Sequence, residues 1–327
     1  MKKQRAQIAR QLFNQKEKLT LDNLVYKQWV FKFTFLELEK DLGENGDITT
    51  NSLIHEKRQA TARIYANEPG IMAGSAEIVY FLMTSDTKFR PRLEKLEVIA
   101  NFIDGSEFEK DDILLEIKGD IKEILKVERT ILNFLQHMSG IASHTKILTD
   151  KAKEANHEVL IVPTRKTTWG LLDKKAVSLG GGGTHRLNLE DAILIKDNHI
   201  AFNNNDILET LENFDPPKSE YKFFELEIDD KTQVLKVAKM LKSMQKEGKI
   251  PKPAVIMFDN MKPKEIEAQI TKLKNNDCYD ELLFEASGGI NSKTLQQYAR
   301  TGVDIISMGA LTQNIKPIDL SLEIGLS

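Results

Sequence analysis

Arg165, Lys166, His185, Arg186 and Lys196 crowd into residues 160–200, LIVPTRKTTWGLLDKKAVSLGGGGTHRLNLEDAILIKDNHI, of a chain whose formal net charge is only −3. Cations gathered in this way suit a multiply charged anion. At an effective dielectric of about 20, two unit charges about 4 Å apart interact by about 4 kcal/mol, so the set repels itself when empty and is relieved by a polyanion. The planar forks of Arg165 and Arg186 donate paired hydrogen bonds to carboxylates, whereas Lys166 and Lys196 supply compact point charge for an anion. Further on, Glu227 and Asp259 suit either Mg2+, which keeps several waters and takes few protein ligands, or the hydroxyls of a ligand. Glu225, two residues before Glu227 and on the same strand face, competes for that role. Ser287-Gly288-Gly289 and Gly309 are small enough for backbone N–H groups to approach a phosphate. No covalent nucleophile is suggested anywhere in the chain.

Residues so far apart meet only if the fold gathers them, and the apolar runs show how. Glu158–Val162, Ala192–Ile195, Lys222–Glu227, Ala254–Asp259, Leu282–Ala286 and Asp304–Met308 read as buried strands separated by helix-sized intervals, a βαβ cadence that implies a parallel sheet. Each run ends in candidate chemistry: Thr164-Arg165-Lys166, Lys196, Glu227, Asp259-Asn260, Ser287-Gly288-Gly289 and Gly309. In a β/α barrel the carboxyl ends of the strands converge on one mouth. A doubly wound sheet stays open at this level. Between the first two runs, Leu171–Leu179 reads as a helix stopped by Gly180–Gly183, and the next turn brings His185 and Arg186 to the same rim.

Residues 1–20, rich in Lys, Gln and Arg, read as a solvated helical extension. Residues 21–145 read as a mixed α/β domain. A helix over Leu21–Leu42 ends at Gly43, and in GENGDITT the residues Asp47 and Thr49 are suited to cap the next segment. Ala60–Ala66, Leu96–Ala100 and Ile113–Ile117 read as strands, and Ala73–Met83 as a helix. From Asp120 a long amphipathic pattern begins, with Ile124, Val127, Ile131, Phe134, Leu135 and Met138 on one arc and Arg129 at its polar margin. Taken alone, Arg129 reads as a border arginine with a buried stem.

The length suits two domains, and 41% hydrophobic with 29% charged residues argues against disorder and against a general nucleic-acid surface. The start lacks an apolar signal-peptide core and no apolar run approaches the roughly 20 residues of a membrane span, so no membrane partner is expected. Cys278, the only cysteine, makes neither an internal disulfide nor a zinc-thiolate site. A soluble cytoplasmic protein is expected.

TRKTT (164–168), GGGGTHR (180–186), ILIKDNH (193–199), EASGGI (285–290) and ISMG (306–309) resemble, in order, the signature segments of the quinolinate phosphoribosyltransferase family. ERTILNFLQHMSGIAS (128–143) is similar to a further family segment, whose arginine reaches into the neighbouring subunit's active site. The resemblance implies an incomplete, about seven-stranded parallel β/α barrel over 146–310, with a mixed α/β N-terminal domain on which residues of about 311–327 pack. It implies conversion of quinolinate and phosphoribosyl pyrophosphate to nicotinate mononucleotide, pyrophosphate and CO2 in de novo NAD biosynthesis, by a homodimer. Lys166, Lys196, Glu227 and Asp259 would be catalytic, and Mg2+ would sit on Glu227 and Asp259, directly or through water. Substrate contacts would come from Arg129, Thr164, Arg165, Lys166, His185, Arg186, Lys196, Glu227, Asp259, Ser287, Gly288, Gly289 and Gly309. In the family's glutamate-x-glutamate pattern the second glutamate is functional, which selects Glu227 over Glu225.

Two stretches depart from the pattern. Trp169-Gly170 stands where the family has Pro-Gly, and the interval from Glu227 to Asp259 is longer, with a lysine-rich helix over Lys231–Lys249 read as a solvated face. Three rival readings are a nicotinate phosphoribosyltransferase, a molybdenum-transport-associated relative and a non-catalytic anion-binding protein. Arg129, Arg165, His185 and Arg186 supply enough cation for two ring carboxylates, which favours the dicarboxylate substrate.

Overall fold

The computed structural model describes residues 2–84 and 93–326. Its strands run in chain order as β1 (Gln59–Ala66), β2 (Gly70–Ile71), β3 (Glu97–Ala100), β4 (Glu107–Phe108), β5 (Ile113–Asp120), β6 (Leu160–Pro163), β7 (Ile193–Ile195), β8 (Phe224–Ile228), β9 (Ala254–Asp259), β10 (Leu282–Ser287), β11 (Ile305–Met308) and β12 (Leu320–Leu326). They divide between two compact units.

One unit gathers Met1–Gln15, Ile147–Lys166 and Gly182–Ala310 around a parallel sheet of order β6-β11-β10-β9-β8-β7. Strands β7 to β11 each lie beside a chain neighbour, and the last returns to pair with the first, Ile305 against Leu160. A doubly wound sheet would instead reverse its order at a switch point, so this is a barrel with one seam open. Leu160 and Phe223 meet Val255, Leu283 and Ile305 in one buried cluster, which only a curled sheet allows. The six runs read from sequence all form, and six hydrogen-bonded strands stand where about seven were expected. At the seam, Gly183 N–H donates to Ile161 O at 2.8 Å, so the glycine-rich segment meets the free edge of β6. A Cβ at Gly183 would fall 2.6 Å from Phe13 O and 2.9 Å from Val162 Cγ1, so only glycine fits.

The opening segment departs from its sequence expectation. Lys2–Phe13 is a helix, but Ala6, Ala9 and Phe13 are buried and Phe13 stacks on Phe223 with centroids 4.3 Å apart. Arg5 is buried too, forking onto Asp304 at 3.0 and 2.6 Å and donating to Tyr279 O. Its partner lies 299 residues away, which a local reading of charge does not reach. The lysine-rich helix, by contrast, is amphipathic over Val234–Lys246, with Val237, Ala238, Leu241 and Met244 buried and Lys236, Lys239 and Lys246 turned away from that face.

The other unit comprises Lys16–Lys146, Thr167–Gly181 and Leu311–Ser327. Its antiparallel sheet has the order β12-β1-β5-β3, with Ile64 of β1 facing Leu322 on one side and Leu115 on the other. Asn23 caps Leu24–Phe31, which passes through a π-helical turn, Lys32–Leu36, into Glu37–Leu42, ended by Gly43. Asp47 caps Ile48–Leu53, accepting from Thr50 N at 2.9 Å. The helix Ile121–Ala155 buries Ile124, Val127, Ile131, Phe134, Leu135 and Met138 and leaves Arg129 exposed, as its periodicity requires. Trp169 stacks on His137 and Phe33, at 4.0 and 4.5 Å between centroids. Asp173 accepts from Thr168 N and Trp169 N at 2.8 and 3.0 Å and bonds His137 Nε2 at 2.7 Å, so the Trp169 departure is built into this unit. No helix among the described residues is long and apolar enough to cross a membrane.

Candidate active site

Alternation along a strand sends every second side chain inward, so the barrel interior reads as three layers. The lowest is apolar: Leu160, Ala192, Phe223, Val255, Leu283 and Ile305, closed by Phe13. Two residues up each strand come Val162, Leu194, Glu225, Met257, Glu285 and Ser307, and two further up come Thr164, Lys196, Glu227, Asp259, Ser287 and Gly309. The uppermost layer consists entirely of residues singled out from sequence. The fold collects them because each sits at the carboxyl end of a parallel strand.

Lys196 Nζ forms an ion pair with Glu227. Burial raises the Glu227 carboxyl above its ordinary value, with Lys196 opposing and Asp259 adding to the rise. Asp259 is raised likewise, by burial first, while Lys196 and the Asn260 side chain oppose. Its only hydrogen-bond donor among the described residues is Asn260 Nδ2, at 2.6 Å. Two carboxylates that repel one another and have few donors suit a divalent cation. The segment after Lys196 turns at once into the short helix Asp197–Ala201, where His199 Nδ1 accepts from Lys196 N at 2.9 Å. Thr164 Oγ1 accepts from Lys166 N at 3.1 Å, shaping the turn that carries the exposed Arg165 and Lys166.

Gly288 and Gly289 have φ of +95° and +62°. A Cβ at Gly288 would fall 2.3 Å from Asn260 Oδ1 and 2.8 Å from Asn260 N, so the β9 and β10 ends approach through this glycine. Gly309 opens a 3-10 turn, Gly309–Leu311, without a positive φ.

His185 and Arg186 lie deeper than the rim assigned to them by sequence, at 5% and 7% exposure. The glycine-rich segment carries them into the interior, with His185 N donating to Phe13 O at 3.0 Å. His185 Nδ1 accepts from Arg186 N at 2.7 Å, and Nε2 stands 3.4 Å from one oxygen each of Glu225 and Glu285. Burial, then the Arg165 charge, lowers the Arg186 guanidinium from its ordinary value, with Glu225 and Asp191 opposing. Burial, then Glu285, raises Glu225 well above the usual carboxylate range. Glu285 was not singled out from sequence, although an acid inside the apolar run LLFEAS is a usable signal. Arg129 belongs to the other unit, where it lines a cavity of about 360 Å3 with Phe33, Glu37, Lys40, Asp41 and Trp169.

Residues 47–139 match a family model described as the N-terminal domain of quinolinate phosphoribosyl transferase, and residues 141–323 match the C-terminal domain. The probable carboxylating nicotinate-nucleotide pyrophosphorylase of Methanocaldococcus jannaschii is 38% identical over 302 residues, covering 91% of this chain and 98% of that one. Its counterpart in Methanothermobacter thermautotrophicus is 35% identical over 280 residues, covering 85% and 93%. Among solved structures, the nicotinate-nucleotide pyrophosphorylase of Francisella tularensis superposes with a TM-score of 0.75 at 28% identity, covering 91% and 96%.

Proposed function

We infer the division of labour in the site from one premise: the chain belongs to the quinolinate phosphoribosyl transferase family. It is a phosphoribosyltransferase of de novo NAD biosynthesis, joining quinolinate to 5-phosphoribosyl 1-pyrophosphate to give nicotinate mononucleotide, pyrophosphate and CO2. The observation that carries our assignment is the uppermost barrel layer, where Lys196 is ion-paired with Glu227 and Asp259 closes the same layer.

In this reading, Arg165 and Arg186 take the ring carboxylates, with the partner subunit's Arg129 completing the set in a homodimer. Forked guanidinium groups fit carboxylates, and Arg129 stands exposed on its helix. Ser287 to Gly289 and Gly309 receive the phosphate, since their backbone admits close approach. The pyridine nitrogen attacks the anomeric carbon as pyrophosphate leaves. Lys166 and Lys196 face the departing charge, the kind of electrostatic stabilisation that usually contributes most to a rate. Glu227 and Asp259 hold the ribose hydroxyls or Mg2+, which when bound would offset pyrophosphate charge. Decarboxylation follows at the ring carbon beside the nitrogen made cationic by the first step. We assign the protein to the cytoplasm, in keeping with a single buried, free Cys278.

A nicotinate-specific enzyme is the second reading. A monocarboxylate would leave one buried basic group uncompensated, at about 1–3 kcal/mol, which favours quinolinate. Product analysis with quinolinate and with nicotinate in parallel tests it. Nicotinate mononucleotide and CO2 from quinolinate alone are expected, and comparable turnover of nicotinate would refute the assignment.

A further inference from the structure

We propose that Gln15 is a positioning residue for quinolinate: from the foot of the N-terminal helix it holds both ends of the turn that presents Arg186. The inference rests on the reading of Arg186 as a carboxylate contact. It gives a task to an opening segment whose composition suggested only a solvated extension.

The turn needs holding. His185 stands at φ +53°, a value that a residue with a side chain keeps only where its surroundings over-determine it. The peptides on either side of it are fixed from the N-terminal segment. Phe13 O accepts from Thr184 N at 2.7 Å and from His185 N at 3.0 Å. Gln15 N donates to Thr184 Oγ1 at 3.0 Å, and that hydroxyl donates to His185 O at 2.9 Å. On the far side of Arg186, Leu187 N donates to Asp191 Oδ2 at 2.8 Å, and the side-chain amide of Gln15 donates to the same oxygen. Gln15 thus reaches Thr184 with its backbone and Asp191 with its side chain, and Arg186 lies between them.

The clamp is itself anchored. Gln15 and Thr184 are fully buried, and the helix before them is tied near its start by the fork of Arg5 on Asp304. Asp304 is fixed to the barrel, its O accepting from Leu160 N and its side chain from Phe284 N, both at 2.9 Å. An amide suits position 15 because an ionised Asp191 can only accept. A glutamate there would set two carboxylates against one another. The Arg186 guanidinium leans on the same end of the turn, its Nη1 donating at 3.3 Å to the carbonyl of Ala192, the residue after Asp191. A shift at Asp191 therefore reaches the fork that meets the ring carboxylates.

Amide hydrogen exchange and kinetics test the proposal. Gln15→Met keeps most of the side-chain volume and removes the donor. In the free protein it should speed exchange of the His185 and Leu187 amides about tenfold or more and leave those of β9 and β10 unchanged. Exchange equal to wild type would overturn the clamp. In turnover, KM for quinolinate should rise about tenfold and KM for phosphoribosyl pyrophosphate less than about twofold, since a binding group held slightly out of place is costly. Gln15→Glu should do at least as much harm. The double variant Gln15→Glu/Asp191→Asn, which exchanges amide and carboxylate across the same bond, should recover most of that loss. Equal effects on both substrates, or a double variant no better than Gln15→Glu, would overturn the assignment. If Gln15→Met does not fold, exchange in wild type still decides: the His185 and Leu187 amides should be protected as those of β9 are, and exchange as fast as that of an exposed loop would overturn the clamp. Absence of any quinolinate turnover by wild type would strike the functional reading alone, since exchange is read without substrate.

Discussion

Two groups of buried acids in this protein are treated in opposite ways. In the unit built on the antiparallel sheet, Glu77 accepts from Tyr26 Oη at 2.9 Å and pairs with Lys175. Asp104 accepts from Gly74 N, Ser75 N and Ser75 Oγ at 2.8–2.9 Å and pairs with the same lysine at 2.9 Å. In the barrel, Glu225 and Glu285 receive no such donors among the described residues. At the mouth, Glu227 has Lys196, and Asp259 has Asn260. Acids that hold a fold together are tied to donors and share a cation, whereas acids at the mouth retain capacity for a ligand.

The comparison breaks most visibly at Lys175. Lys175→Met keeps most of the side-chain volume but leaves the buried Glu77 and the half-buried Asp104 without their cation, and removing one partner of such a network costs roughly 3–5 kcal/mol. Urea unfolding should show that loss. A loss below about 1 kcal/mol would mean that the network is not structural.

Lys196→Ala probes the other side. Removing one preorganised charge facing a leaving group lowers kcat by about 10²–10³-fold, roughly 2.7–4 kcal/mol. Stability should hardly change, because Lys196 is partly exposed and its pair with Glu227 lies at the mouth. Steady-state kinetics with thermal unfolding of the same preparation separates the two effects. Unfolding of the variant in place of inactivation would erase the distinction between mouth and scaffold.

Gly288→Ala should act between these extremes. Its Cβ would press on Asn260 at a positive φ, a strain of roughly 1–3 kcal/mol, and Asn260 is the donor that holds Asp259. KM for phosphoribosyl pyrophosphate should rise about tenfold, and that for quinolinate much less. A shared rise would remove Gly288 from the phosphate end.

Legibility in the sequence depends on where each signal lives. The barrel strands are readable because a strand buried on both faces is a continuous apolar run, and LIVP, ILI and AVIMFD end in charge where they surface. The upper layer comes from those endings. Arg5 and Phe13 escape such a reading because Lys2–Phe13 is polar by composition and is buried by partners from the far end of the chain. The depth of His185 is invisible for a related reason: it depends on Gly183 lying against Phe13 O and Val162, a tertiary contact without sequence periodicity. Glu285 is passed over because one acid does not disturb the strand pattern, although its place inside the apolar run LLFEAS is itself the signal. Thr167–Gly181 joins the antiparallel unit through Trp169 and Asp173, which chain order alone does not indicate.

The smallest expected effect tests whether donors alone account for the contrast. Asp47 is an acid near the surface saturated by hydrogen bonds, from the Thr50 side chain and from Thr50 N. The Thr50 side chain first, then Thr50 N, lowers its carboxyl from the ordinary value, opposite in direction to Glu227 and Asp259. A depressed acid contributes stability that is fully present above its unfolded pKa and is lost as pH falls through the folded one. Asp47→Ala should therefore cost about 1 kcal/mol at neutral pH, as loss of a helix N-cap does. The difference from wild type should shrink as the pH is taken below the ordinary carboxylate value, where wild type has lost the charge as well. Unfolding free energies of the two proteins between about pH 7 and about pH 3 measure this. A difference independent of pH would mean that the cap acts through its shape and not its charge, and that hydrogen-bond donors are not what separates the two groups of acids.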